Sequence, residues 1–237
     1  MADKPILFSA PMIRALLDGR KTQTRRVLKL KVCGGRQMPV PAEAPPEYAR
    51  RYGICLAAPG DRLWVREAWR ARLYDQDVPP REIDPITQIH YIADGQPSET
   101  DDGTNWNRYR HARFMPRWAS RLTLTVTDVR VQRLQEISEA DAVAEGLEPI
   151  RYEWWQGFVR HADGSRGMME TCNADGPPPD DFEHPEKQVY ERSARDGFRD
   201  LWNSLHGPDA WDANPWVCAL TFVVAPYNID LMTERAA

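Results

Sequence analysis

Closely spaced cysteine pairs and long apolar runs are both missing from this chain, and each absence closes off a class. The four cysteines, Cys33, Cys55, Cys172 and Cys218, lie far apart with no CxxC pair. That spacing matches neither a zinc ribbon nor a small disulfide-stapled scaffold. No window approaches the roughly 18 continuous apolar residues that a membrane helix needs. The N-terminus also lacks a basic start followed by an apolar stretch. A reducing, cytoplasmic setting is therefore expected, with neither secretion nor membrane insertion. Global positive charge is absent too: the formal net charge is −4, so contact with nucleic acid would have to come from local patches. The five histidines, His90, His111, His161, His184 and His206, show no ligand spacing and no cysteine cluster beside them. No metal and no cofactor are expected, and no internal repeat is visible.

What is present is a chain of 237 residues, 42% hydrophobic, enough for a sizeable core. Twenty prolines and a negative mean hydropathy point to extensive loops. Ser9 caps a short helix with Pro11 in its first turn. Met12, Ile13, Leu16 and Leu17 form its apolar stripe and Gly19 its stop. Thr22 to Leu30 reads as a strand, and residues 33–58 as an inserted loop. Gly60-Asp61 signals a turn before the apolar strand Leu63-Trp64-Val65. A strand around Gln88 to Ala93 interrupts a second, polar insertion at 70–107. Leu122 to Val131 is the clearest strand, with Leu122, Leu124 and Val126 alternating against threonines. Its phase then shifts to Val129 and Val131, the mark of a bulge. Ser138 caps the helix Glu139 to Glu145, with Asp141 at the capping-box position and Gly146 as the stop. Residues 147–187 read as a third loop insertion, Val189 to Leu205 as a helix, and Trp216 to Val224 as the last strand. Together these predict one α+β domain spanning residues 1–237: a small mixed β-barrel flanked by helices.

The chemistry concentrates in Gly19-Arg20-Lys21-Thr22-Gln23-Thr24-Arg25-Arg26. Six basic residues lie between Arg20 and Lys31 with no acid among them. A lysine close to a threonine hydroxyl supplies a base and a nucleophile, and arginines suit an anionic or base-bearing ligand. The same run also fits a solvated basic edge strand. Arg66 and Glu67 follow the Leu63-Trp64-Val65 strand on opposite faces, and Trp64 and Trp69 suit either base stacking or core packing. Arg108, Arg110, Arg113, Arg117 and Arg121 interleave with Tyr109, Phe114 and Trp118. This strip matches phosphates and stacked bases, or else pairs with the acidic stretches at 75–102 and 175–186.

Taken in order, these segments resemble the ASCH domain family of the PUA-like superfold, its longer phage and prophage members in particular. The matching pieces are the helix from Ile6 to Leu17, the Gly19-to-Arg26 run, Gly60-Asp61-Arg62-Leu63-Trp64-Val65-Arg66-Glu67, Phe114-Met115-Pro116-Arg117-Trp118-Ala119-Ser120-Arg121, the Ile137-to-Gly146 helix and Asn214-Pro215-Trp216-Val217. The insertions at 33–58, 70–107 and 147–187 have no counterpart in compact members. The resemblance implies a β-barrel whose cleft accepts a nucleobase or nucleotide. Some compact members are amidohydrolases that remove N4-acyl groups from cytosine nucleosides. Their catalytic lysine, threonine and glutamate carry over to Lys21, Thr24 and Glu145. Arg25, Arg26, Trp64, Arg66, Glu67 and Arg117 are the expected substrate contacts. Thr24 attacks the acyl carbon with Lys21 as base, or Lys21 supports the oxyanion while Glu145 activates Thr24 or water. The alternatives are an RNA- or DNA-binding module without catalysis, or a metal-independent ribonuclease.

Overall fold

The computed structural model describes residues 2–31, 37–72, 78–95, 106, 108–161, 163–171 and 177–231. The chain begins β1 (Asp3–Leu7), α1 (Ala10–Leu17), β2 (Gln23–Val27), β3 (Lys29–Lys31), β4 (Gln37–Pro39), α2 (Pro46–Tyr52) and β5 (Gly53–Ile54). It continues β6 (Arg62–Arg66), β7 (Trp69–Ala71), β8 (Ile89–Tyr91), β9 (Thr123–Arg133) and α3 (Glu139–Ala144). The remainder is β10 (Ile150–Arg160), β11 (Arg166–Glu170), β12 (Glu183–Arg192), α4 (Ala194–His206) and β13 (Trp216–Ala225).

A five-stranded sheet in the order β1-β6-β9-β13-β2 carries the architecture. Only the β1–β6 pair is parallel, and the other neighbours are antiparallel. Alternation on β9 and β13 sorts the side chains: Leu124, Val126, Leu220 and Phe222 join Ile6, Leu63 and Val65, with Ile13 and Leu16 of α1, in one core. On the other face Val217 packs with Leu134, Ala142, Phe198, Trp202 and Trp211, seating α3 and α4. The phase shift seen on β9 is a bulge, since Thr221 faces Asp128 while Phe222 faces Val126.

The α+β class stands, but the expected barrel does not close. Among the described residues no backbone ladder joins β1 to β2, so the sheet is open. Its two edges nonetheless approach: Arg26 Nη2 on β2 donates to Leu7 O on β1 at 2.9 Å. Helix α1 links these two strands, and Phe8 lies under the Arg26 guanidinium at 5.2 Å. Side chains, not main-chain ladders, fill the gap.

The insertions are more ordered than loops. Residues 33–58 contain β4, α2 and β5, with β3 forming a small sheet between β4 and β5. Within 70–107, β8 confirms the expected strand and pairs with β7. Residues 147–187 build most of a three-stranded antiparallel arm, β11-β10-β12. Strand β12 runs to Arg192, so the final helix starts at Ala194, capped by Ser193, rather than at Val189. Proline and charge masked the strand pattern of β12, whose residues are mostly exposed and so show little hydrophobic period.

Cys55 and Cys218 form a disulfide that spans 163 residues of sequence. Nothing in the cysteine spacing announced it, because the fold alone brings such distant positions together. Cys33 and Cys172 lie outside the described residues. No described helix is long and apolar enough to cross a membrane.

Candidate functional site

Lys21 sits where α1 hands over to β2, fixed by its own backbone. Its N–H donates to Ala15 O at 2.9 Å, and it forms an isolated antiparallel bridge with Glu145. Glu145 is the C-cap of α3, and the chain turns away at Gly146 with φ +92°. A β-carbon at Gly146 would lie 3.0 Å from Ala15 Cβ and 3.2 Å from Lys21 Cβ. Only glycine allows both the left-handed turn and this close approach.

The Lys21 ammonium donates to Glu145 Oε2 at 2.7 Å and to Glu145 O at 2.8 Å. Both side chains are almost wholly buried, at 1% and 4% exposure. Arg25 completes the cluster. Its Nη1 donates to Glu145 Oε1 at 3.1 Å and Gln23 Oε1 at 2.6 Å, and its Nη2 to Asp141 Oδ2 at 2.9 Å. The second Asp141 oxygen accepts from Arg130 Nη2 at 2.8 Å and Gln23 Nε2 at 3.2 Å. Asp141 and Glu145 are four residues apart, so α3 presents both carboxylates to one side. Ser138 caps the Asp141 N–H at 3.1 Å, while the Asp141 carboxylate turns to these cations instead of closing a reciprocal box.

Electrostatics follow from the packing. Burial is the largest influence on Lys21 and pushes its proton affinity below that of an ordinary lysine. Glu145 opposes this, but the guanidinium groups of Arg26 and Arg25 reinforce it. Burial would raise Asp141, yet the bond from Arg130 and the charge of Arg25 hold it below the usual carboxylate range. A buried ion cluster of this kind is weak evidence for stability, since desolvation offsets the attraction.

These residues border a small cavity of about 50 Å³ that opens to solvent. It is lined by Lys21, Thr24, Arg25, Arg26 and Glu145 together with Phe8, Met12 and the α4 residues Phe198, Leu201, Trp202, Leu205 and His206. Strand alternation puts Thr24 and Arg26 on the face opposite Gln23 and Arg25. The pocket reaches both faces because β2 is a sheet edge. At the mouth the His206 ring lies 4.3 Å from Trp202, and burial, with the Arg26 charge, holds the imidazole below its ordinary pKa.

The structure thus brings together five of the residues singled out in the sequence, and leaves four elsewhere. Trp64 is buried beneath Arg66, whose guanidinium lies 4.5 Å from its ring. Glu67 is buried, and a two-pronged pair holds it to Arg121 at 2.9 and 3.0 Å. Arg117 binds Asp3 at 2.7 Å and Asp230 at 2.6 Å. None of these four lines the Lys21 pocket. The arginine strip divides in the same way: Arg117 and Arg121 are structural, and Arg110 is buried with Nη2 on Val78 O. Arg113, Tyr109 and His111 instead line a broad groove of about 510 Å³ that shares Phe8 with the Lys21 pocket.

Sequence reasoning missed Asp141, Gln23 and Arg130 as partners of the site, and the whole α4 wall. The four-residue spacing of Asp141 and Glu145 was a usable signal. The α4 stripe carried none, because its spacing reads equally as core. In comparison with known proteins, no family model matches the chain, and no curated protein or solved structure is significantly similar to it.

Proposed function

We propose that the chain is an amidohydrolase that removes N4-acyl groups from cytosine nucleosides, acting through Lys21, Thr24 and Glu145. The supporting observation is the buried 2.7 Å contact of Lys21 with Glu145, residues 124 apart in sequence, beside a pocket that Thr24 also lines. The resemblance of the ordered motifs to the ASCH family, with its PUA-like barrel, supplies the substrate class. The open sheet with its edges bridged by Arg26 is compatible with that likeness and does not establish it.

In this reading Thr24 Oγ attacks the acyl carbon and neutral Lys21 accepts the hydroxyl proton. Both Glu145 oxygens are engaged, one by Lys21 and one by Arg25, and the lowered proton affinity of Lys21 makes its neutral, proton-accepting form available at a lower pH than for an ordinary lysine. The C–N4 bond then breaks, the proton passes to N4, and cytidine leaves. Water attacks the Thr24 ester, the carboxylic acid departs, and the hydroxyl is restored. The role this reading gives to Arg26 and to Lys21, once charged, is to offset the negative charge that the carbonyl oxygen gains.

Absorbance of N4-acetylcytidine and N4-benzoylcytidine with purified protein tests this directly. Wild type is expected to release cytidine, and Thr24→Ala and Lys21→Ala to lose roughly 10²–10⁴-fold in kcat. Unchanged turnover in Thr24→Ala would remove the covalent route and leave attack by water. No turnover of either compound, with salt-dependent binding of an oligonucleotide, would favour the nucleic-acid module, whose contacts would include the Tyr109–Arg113 groove.

A further inference from the structure

The arm of β10, β11 and β12 has two chemically different faces, because cross-strand partners share a face and successive residues alternate. On one face Arg151 pairs with Glu153 at 2.7 Å and with Glu191 at 2.8 Å, and Lys187 pairs with Glu153 at 2.6 Å. These two cations and two acids neutralise one another. On the other face the register places Tyr152 opposite Tyr190, Trp154 opposite Gln188, and Phe158 opposite Met168. Tyr152 and Met168 are each 59% exposed, Tyr190 48% and Phe158 43%. Between these two apolar ends, Glu170, Gln156 and Glu186 form a row across the three strands. Among the described residues no cation pairs with either glutamate. Glu170 accepts from Gln156 Nε2 at 3.3 Å, and Glu186 from Gln188 Nε2 at 3.5 Å. Glu183, at the far end of the face, is instead held by Arg160 at 3.3 Å and Arg166 at 2.6 Å.

A sheet face with four large exposed side chains gains stability when something covers it, and the unpaired charge at its centre says what. We infer that this face docks a basic protein segment, whose Lys or Arg side chains meet Glu170 and Glu186 while flanking apolar residues cover Tyr152, Tyr190, Phe158 and Met168. Nucleic acid and anionic lipid are disfavoured, because the two glutamates repel them. A second copy stacked on this face about a two-fold axis through the Gln156 row would set the glutamates against their own copies. Size points the same way. Three strands about 4.8 Å apart and the 11 residues of β10, at about 3.3 Å each, give a face of at most roughly 500 Å². That is less than the roughly 800 Å² per partner of a standard interface, and it suits a segment rather than an obligate dimer. The docking face is independent of the amidohydrolase reading, since none of its described residues lines the Lys21 pocket.

Selection of displayed random dodecapeptides on the intact, disulfide-bonded chain tests the inference, with recovered peptides remade with a fluorophore and measured by anisotropy. The expected peptides carry Lys or Arg between aromatic or aliphatic residues. Binding should weaken about three- to tenfold in the double variant Glu170→Gln/Glu186→Gln, and also with rising salt. Tyr152→Ser or Met168→Ser should weaken it about tenfold. Glu191→Gln, on the charge-balanced face, should leave it unchanged. All five positions are exposed, so the variants are expected to keep the wild-type Tm. Peptides without basic residues, binding that the glutamate variants leave intact, or recovery of no peptide would overturn the inference. So would a dimer in sedimentation that Tyr152→Ser dissociates, since the occupant would then be a second copy.

Discussion

At the scale of single residues, Lys21 is governed by what surrounds it. Burial lowers its proton affinity, Glu145 raises it, and Arg25 and Arg26 lower it again. A depressed lysine is charged below its folded pKa and neutral above it, so a base role gives activity that rises with pH through a value below the ordinary 10.5. Folding has the same sign: the unfolded chain binds the proton more readily, so this group's contribution to stability falls as pH drops from the unfolded to the folded pKa. Removing a neighbouring cation has a definite direction. Arg26→Gln should move the rising limb of the kcat–pH profile to higher pH, because one depressing charge is lost. A limb that stays in place or moves to lower pH would argue against Lys21 as the titrating base. The residues of the Gly19-to-Arg26 run were legible in the sequence as a chemical unit. Their partners were legible only in part: Glu145 came from a motif likeness, while Asp141 passed as a helix-capping residue.

At the scale of elements, the junction of α1, α3 and β2 does the positioning. Gly146 lies there with φ +92°, and a β-carbon would crowd Ala15 and Lys21. Gly146→Ala is expected to cost about 1–3 kcal/mol from backbone strain and crowding together. Gly60, at φ +87° with open space around it, provides the comparison. Chemical denaturation should show Gly146→Ala to be the more damaging, and only it should lower activity, by displacing Lys21. Strands and helices with a buried face, such as β9, α1 and α3, could be read from apolar period and caps. The arm of β10, β11 and β12 could not: Tyr152 and Tyr190 stack across it at 6.2 Å, yet both are exposed, as is most of β12. A sheet that does not bury one face lacks the alternation by which strands are recognised. The α4 boundary failed for the same reason, since β12 runs directly into Ser193.

At the scale of the molecule, the Cys55–Cys218 bond ties the end of the small sheet of β3, β4 and β5 to strand β13 of the five-stranded sheet. A cross-link over so long a loop restricts the unfolded chain and typically adds about 2–4 kcal/mol. Reduction with dithiothreitol should therefore lower Tm, and a Cys55→Ser variant should melt at the reduced protein's temperature in either condition. An unchanged Tm, with no disulfide-linked peptide on non-reducing digestion, would show that the thiols are free. The expectation of a reducing compartment gave no reason to look for this bond, because cysteine spacing reports local motifs and not tertiary neighbours.

The open edges of β1 and β2 have a consequence for solubility. A bare strand edge is a template for pairing with another molecule. Here Arg26 caps Leu7 O on one edge, and Thr22 N bonds to Ala144 O beside the other. Arg26, proposed to bind substrate, thus also shields one edge from pairing with another copy of the chain. Substitutions that widen this pocket would be bought with a greater tendency to aggregate, which limits how far its specificity can be redesigned through Arg26.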